Sequence, residues 1–353
     1  MKRFLAFLLC TCMILSLCAC GETASQSPAP SEVATEPVTE PVTEPTEAAG
    51  IPKKDTLKVL TLGHSLAVDT GHMLALVAAA EGYDGLTYAT LYHSGCSLTQ
   101  HVDFLTNNKR EYSLYVSNSA NPAPPTVTPD VTMYEALRYD NWDVIVMQGG
   151  VFELGYDSTY KSGHIQTIQD YVNQNKLNPD AVFVWHMPWS FPTDPELQAM
   201  HPHTPNPFIE GYIPFGNSRS AFYEAMAQCV SDNILTNDTF VALIPSGTAV
   251  ENAHSSYMGD WDLHRDYGHA SDYARLMTSY VWYCVLMGID HLDEMKQTTI
   301  PVKYFRSYAG LQDVQLSELE INIALESINN ALKTPLAVTQ SQYTEAPEGY
   351  VAK

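Results

Sequence analysis

Five short apolar runs alternate with helical patterns over most of this 353-residue chain, and that alternation constrains its fold more than any other feature. The runs fall at residues 57–62, 87–92, 143–147, 181–186 and 240–244. Most lack strict apolar–polar alternation, as strands covered on both faces do. Between them apolar residues recur at helical spacing. Met73, Leu76, Val77 and Ala80 follow the first run, and residues 131–138, 165–173 and 221–234 follow suit. Residues 271–287 read as a long apolar helix, and residues 316–332 close the domain. This order predicts an α/β fold: a five-stranded parallel sheet with helices on both faces. Sites in such sheets lie beyond the carboxyl ends of strands, where Ser65, Gly95 and Gln148 fall. Two proline-rich stretches, 121–129 and 188–214, read as surface loops, the second long enough to frame a cleft.

Ahead of the domain lies a different kind of sequence. Met1-Lys2-Arg3 and the apolar residues 4–17 read as a signal peptide, too short and wrongly flanked to span a membrane. The segment ends in Leu17-Cys18-Ala19-Cys20, which resembles the bacterial lipobox. That resemblance implies a leader at 1–19 and lipidation of Cys20; ordinary cleavage near Ala19 is the alternative, and both predict export. Residues 20–55 form a Pro/Glu/Thr-rich linker with a Thr-Glu-Pro repeat, too poor in apolar mass to pack. Residues 56–335 are left as one domain, with a tail at 336–353. The expected location is the cell membrane, held by the lipid anchor alone and facing outward.

The formal net charge of −22 argues against a nucleic-acid or anionic-lipid partner reached through a basic surface. Once Cys10, Cys12 and Cys18 leave with the leader and Cys20 is acylated, Cys96, Cys229 and Cys284 remain. Their odd number and wide spacing give neither a disulfide framework nor a metal pair.

Two patterns about 200 residues apart carry the chemistry. Gly63-His64-Ser65-Leu66 ends the first strand and opens a helix, where outward backbone N–H groups favour a developing anion. A nucleophile and a helix-capping serine look alike at this position. Arg265-Asp266-Tyr267-Gly268-His269 is an Asp-x-x-His turn. Its carboxylate can fix the tautomer of His269, and His269 can then take the proton of Ser65.

These blocks resemble the SGNH hydrolases, a branch of the GDSL lipases and esterases, over about residues 56–290. Gly63-His64-Ser65-Leu66 is close to the nucleophile block, Ser94-Gly95-Cys96-Ser97-Leu98 to the second block, and Asp266 with His269 to the last. The resemblance implies a flavodoxin-like three-layer α/β/α sandwich and a Ser65–His269–Asp266 triad. It also implies an oxyanion hole from the N–H groups of Ser65 and Gly95. The family's third block carries an Asn donor, whereas this chain reads Val146-Met147-Gln148-Gly149-Gly150. Gln148 offers the same amide one methylene longer. The implied activity is ester hydrolysis without metal or organic cofactor, on an acylated carbohydrate or other small ester. A non-catalytic glycan-binding protein and an O-acyltransferase are the alternatives. The sequence leaves the oligomeric state open.

Other residues have two readings each. His64, His186, Trp189 and Arg265 are candidates to line the cleft, against solvated-turn, core or ion-pair roles. His201-Pro202-His203 lacks the nearby acids a metal site would want. Cys96 reads as a small buried residue rather than a nucleophile.

Overall fold

The computed structural model describes residues 50–202, 210, 212–306 and 312–351. The leader, Cys20, most of the linker and His203 lie outside the described residues. The centre is a seven-stranded sheet of β1 (Leu57–Gly63), β2 (Leu86–Tyr92), β3 (Tyr112–Asn118), β4 (Thr126–Val131), β5 (Val144–Met147), β6 (Val182–His186) and β7 (Phe240–Ile244). Their order across the sheet is β4-β3-β2-β1-β5-β6-β7. The five expected runs supply β1, β2, β5, β6 and β7, all mutually parallel. Between themselves they follow the doubly wound order 2-1-3-4-5, whose topological switch point lies between β1 and β5.

The expected count of five strands is corrected to seven. β3 pairs antiparallel with β2, and β4 antiparallel with β3, extending one edge as a hairpin. β4 occupies part of the stretch 121–129 that reads as a loop. Its prolines conceal it, because an edge strand tolerates a missing donor and need bury little. Five of its six residues are exposed, with only Val131 buried.

The helices of the described residues are α1 (Ser65–Ala80), α2 (Leu98–Thr106), α3 (Met133–Leu137), α4 (Asp157–Tyr160), α5 (His164–Asn175), α6 (Pro195–Ala199), α7 (Arg219–Asn233), α8 (Ser246–His254), α9 (Asp260–Leu263), α10 (Asp272–Met287) and α11 (Glu318–Lys333). α1, α10, α8 and α11 pack as one group; α2, α3 and α5 form another. Helices flanking a central sheet in this way form a three-layer sandwich. α10 is buried almost all round, which explains its lack of a polar face. It starts at a Ser271 cap and stops at Gly288, whose φ of 67° is left-handed. Residues beyond α11 lie along α8, where the Thr339 N–H donates to Asn252 Oδ1 at 2.7 Å and the Ser341 N–H to Ser255 Oγ at 2.8 Å.

Candidate active site

β1 and α1 meet at His64, which caps the helix in extended backbone with φ −129° and ψ −162°. Its Nδ1 accepts the Leu66 N–H at 3.4 Å, and its carbonyl accepts the Ala67 and Val68 N–H groups at 3.1 and 3.2 Å. The cap is therefore His64 and not Ser65. The Ser65 N–H stays outside this set at the positive end of a 16-residue helix. The His64 ring is buried, and its Nε2–H donates to the Gly149 carbonyl at 3.0 Å. Burial is the main cause that brings its pKa down to about 4, and the nearby His269 charge adds to it. His64 is thus a neutral splice between two strand ends, not a cleft wall.

After β2 the chain turns through His93, Ser94, Gly95 and Cys96, closed by the Cys96 N–H on the His93 carbonyl at 3.3 Å. Gly95 takes a φ of +60°, which a side chain adopts only at a cost. A Cβ there would have room, with its nearest neighbour at 3.7 Å, so conformation and not space calls for the glycine. Cys96 is buried, and burial raises its thiol far above the usual range, so it is no thiolate nucleophile.

Beyond β5, Gln148 is buried and is not among the residues that line the cleft. Its Oε1 accepts from His186 Nδ1 at 2.8 Å. Burial keeps the His186 ring neutral, and with Gln148 Oε1 facing Nδ1 the ring proton is assigned to Nδ1. Gln148 Nε2 is then left as a buried donor without a partner. It packs on the Gly63 α-carbon, where an added Cβ would fall 2.7 Å from it.

The remaining element is the turn before α10. The Arg265 N–H donates to the His269 carbonyl at 3.0 Å, and His264 bridges Ala270 below it. Asp266 Oδ1 accepts three N–H groups: Gly268 at 3.0 Å, His269 at 3.0 Å and His269 Nδ1 at 2.8 Å. Burial would raise this carboxyl. The hydrogen bonds and charge of His269, with Arg265, outweigh burial and hold it down to about 2. With Nδ1 donating to Asp266, Nε2 is left as the basic nitrogen of the His269 ring.

These strand ends and this turn enclose one cleft of about 540 Å³. Ser65, Gly95, Glu153, His201, Tyr267 and His269 are among its walls. Ser65 and His269 share it, and no hydrogen bond joins them. Glu153 Oε2 is buried and unpartnered, and burial raises that carboxyl while His164 draws it back.

Four residues expected to line the cleft do not. His64 and His186 are buried at strand ends, where His64 Nε2 meets the Gly149 carbonyl and His186 Nδ1 meets Gln148 Oε1. Trp189 is fully buried and donates its Nε1–H to the Gly268 carbonyl at 3.1 Å, bracing the turn from behind. Arg265 points away into an ion pair with Asp69 at 2.9 Å and a hydrogen bond to the Ala270 carbonyl at 2.7 Å. Sequence reading missed Asp69 and Glu153; neither sits in a recognisable motif. His201 packs edge-on against Tyr267 at 4.5 Å.

A doubly wound α/β domain with a serine and a histidine–carboxylate pair gathered at its switch point is the class these observations define. Residues 58–304 match a family described as Domain of unknown function (DUF4886), and the chain belongs to that family. It is similar to the crystal structure of a DUF4886 family protein from Bacteroides uniformis ATCC 8492, with a TM-score of 0.65 and 23% identity. The likeness covers 82% of this chain and 100% of that one, and it shows the shared fold. A candidate SGNH hydrolase from Slackia heliotrinireducens is similar at a TM-score of 0.38 and 16% identity, over 64% of this chain and 97% of its own. A gut microbial diltiazem-metabolizing enzyme is similar at 0.35 and 12%, over 68% and 48%. Neither of these two likenesses is close enough to bear on the chemistry. No curated protein matches the chain.

Proposed function

We propose that this protein is an exported, Cys20-anchored serine hydrolase of ester bonds, acting outside the cell on acylated glycans. The observation that carries the reading is the meeting of Ser65 and the His269–Asp266 pair in one cleft at the switch point. Ser65 Oγ attacks the ester carbonyl carbon while His269 Nε2 takes its proton. Asp266 holds the ring and stabilises the imidazolium. The oxyanion is met by the N–H groups of Ser65 and Gly95 and by Gln148 Nε2, whose missing partner supports that role. His269 returns the proton to the leaving alcohol, and water, deprotonated by the same ring, cleaves the acyl-enzyme. Unliganded sites commonly hold nucleophile and base farther apart than the working complex does.

The glycan assignment rests on the walls. Phe152 and Tyr267 offer aromatic surface, and Glu153 brings a carboxylate side chain to the same wall. The missing Ser65–His269 hydrogen bond favours one second reading, a glycan-binding protein that keeps the fold without turnover. Hydrolysis of p-nitrophenyl acetate and of acetylated oligosaccharides, with wild type beside Ser65→Ala, separates the two. Release that depends on Ser65 is expected, and equal background release from both proteins rejects the hydrolase. Acetyl transfer to an added sugar would reassign it as a transferase. Metabolic labelling with a fatty acid, lost in Cys20→Ala, tests the anchor.

A further inference from the structure

Beside the cleft, and outside its walls, three potential metal ligands converge from three elements. His254 ends α8, Asp260 opens α9, and His264 begins the turn that carries Asp266 and His269. One ligand atom from each lies within 4.8 Å of the others. His254 Nε2 and His264 Nε2 face each other at 3.2 Å, and His254 Nε2 is 3.7 Å from Asp260 Oδ1. Tetrahedral zinc with bonds of about 2.0–2.1 Å spaces its ligands about 3.3–3.4 Å apart; the two His254 gaps bracket that spacing, and the His264–Asp260 gap, within 4.8 Å, would close by a side-chain adjustment on binding.

The chemistry of the group agrees. Two Nε2 atoms at that distance hold one proton between them at most, so at least one lone pair already points inward. His264 Nδ1, on the far side of the ring, is buried without a partner. Asp260 is held in place from behind, since its Oδ2 accepts the Thr193 and Asp194 N–H groups at 2.8 Å and the Thr193 hydroxyl at 3.2 Å. Fixed outer contacts of this kind are what orient a metal ligand. Arg219 donates an Nη1–H to the same Asp260 Oδ1 at 2.9 Å, which leaves that oxygen a second lone pair, and its Nε–H to Glu251 Oε2 at 3.2 Å. Glu251 Oε1 is also buried and unpartnered. Two carboxylates against one guanidinium leave the pocket net negative, so a dication improves its balance.

We propose that His254, Asp260 and His264 form a zinc site whose role is to fasten the base of the Asp266–His269 turn. The ion would take both Nε2 atoms and Asp260 Oδ1, with water as the fourth ligand, and would release the shared proton. The site is structural, and it stands whether or not Ser65 is a nucleophile.

The test uses the full chain without a histidine tag. After incubation with zinc and removal of excess, bound metal is measured by mass spectrometry, and unfolding temperature is followed with and without zinc. One zinc per chain and a zinc-dependent rise in unfolding temperature are expected, both lost in His254→Gln and His264→Gln. Only trace metal on wild type, or undiminished binding in the variants, overturns the proposal. A measurement on wild type alone guards against variants that fail to fold. Cobalt in place of zinc should give the intense visible bands of a tetrahedral site, and weak octahedral bands or none reject it.

Discussion

Asp69 and Arg265 meet at 2.9 Å across 196 residues of chain. Asp69 lies one turn into the helix that starts at Ser65, and its Oδ2 also accepts the Ala270 N–H at 3.2 Å. The helix that presents the serine therefore also grips the turn that presents the histidine. Arg275, fully buried on α10, lies 3.8 Å from the other oxygen of the same carboxylate.

Removing that carboxylate leaves Arg265 with only the more distant Asp266 carboxylate at 3.6 Å and Arg275 with only Asp272 at 2.5 Å. Asp69→Ala is expected to lower stability by about 3 kcal/mol, the usual cost of breaking a buried pair from one side. Turnover should fall with it, because the turn loses its hold on α1. Urea unfolding with steady-state kinetics checks both, and wild-type values for either would separate Asp69 from the site.

Ser65→Ala should reduce ester hydrolysis at least about 1,000-fold, and Asp266→Asn about 10,000-fold through the wrong tautomer of His269. Ser65 is outside the cap, so its variant should unfold at the wild-type temperature. A Ser65→Ala protein that stays active would remove the nucleophile from the mechanism.

Gln148→Ala should cost about 100- to 1,000-fold in kcat with little change in KM, as expected for a donor used in the transition state. His186→Ala should produce part of the same loss by freeing the amide to turn. His186→Asn, which keeps a donor near the Nδ1 position, should recover activity. Losses confined to KM would assign both residues to ground-state binding.

Glu153→Gln keeps size and removes charge, so it should raise KM for a polyhydroxylated ester about 10-fold and leave p-nitrophenyl acetate unaffected. An equal effect on both esters would place Glu153 in the chemistry and not in recognition.

Buried imidazoles set the acid limit of the fold, four of them lying apart from the His254–His264 pair. Burial lowers the pKa of His64 to about 4, His72 to about 2 and His101 to about 3, and that of His186 well below 6.5. Below pH 6.5 the unfolded chain binds these protons and the folded one does not, so stability falls as pH falls. With all four engaged the slope is about 5 kcal/mol per pH unit. Acid unfolding is expected to begin above the ordinary carboxylate range, and His64→Gln should make the slope shallower. Asp266 acts lower down: its pKa of about 2 gives stability that is full above 3.8 and lost as pH falls toward 2. A flat stability profile between pH 6.5 and 5 would contradict the neutral imidazoles.

Much of the parallel core was legible because its strands are covered on both faces and so read as unbroken apolar runs. Gly95 was legible through the block that resembles the SGNH hydrolases, and the Asp266–His269 turn through a spacing that lets a carboxylate reach an imidazole. β4 was not, since an exposed edge strand needs no apolar pattern. α2 went unread although Ser97 and Gln100 form a full capping box at its start. His64, His186 and Trp189 were placed at the right strand ends and turns, but sequence position does not say whether a ring points into a cleft or a core. Asp69 is one polar residue in an apolar helix, and only the fold brings Arg265 to it. His254, Asp260 and His264 are spaced across two helices and a turn, a pattern with no local signature.

The β3–β4 hairpin has a consequence for the protein in a crowd. Without it, β2 would present a flat row of unpaired backbone groups along one margin of the sheet, a template for a neighbouring chain. β4 takes that margin instead, and it is poorly suited to the part. Pro129 has no N–H to offer, Asp130 sits at a φ of +54°, and the pairing register slips between Tyr112 and Leu114. The sheet thus ends in a strand that accepts one partner and discourages the next, a guard against strand-by-strand polymerisation at high local concentration.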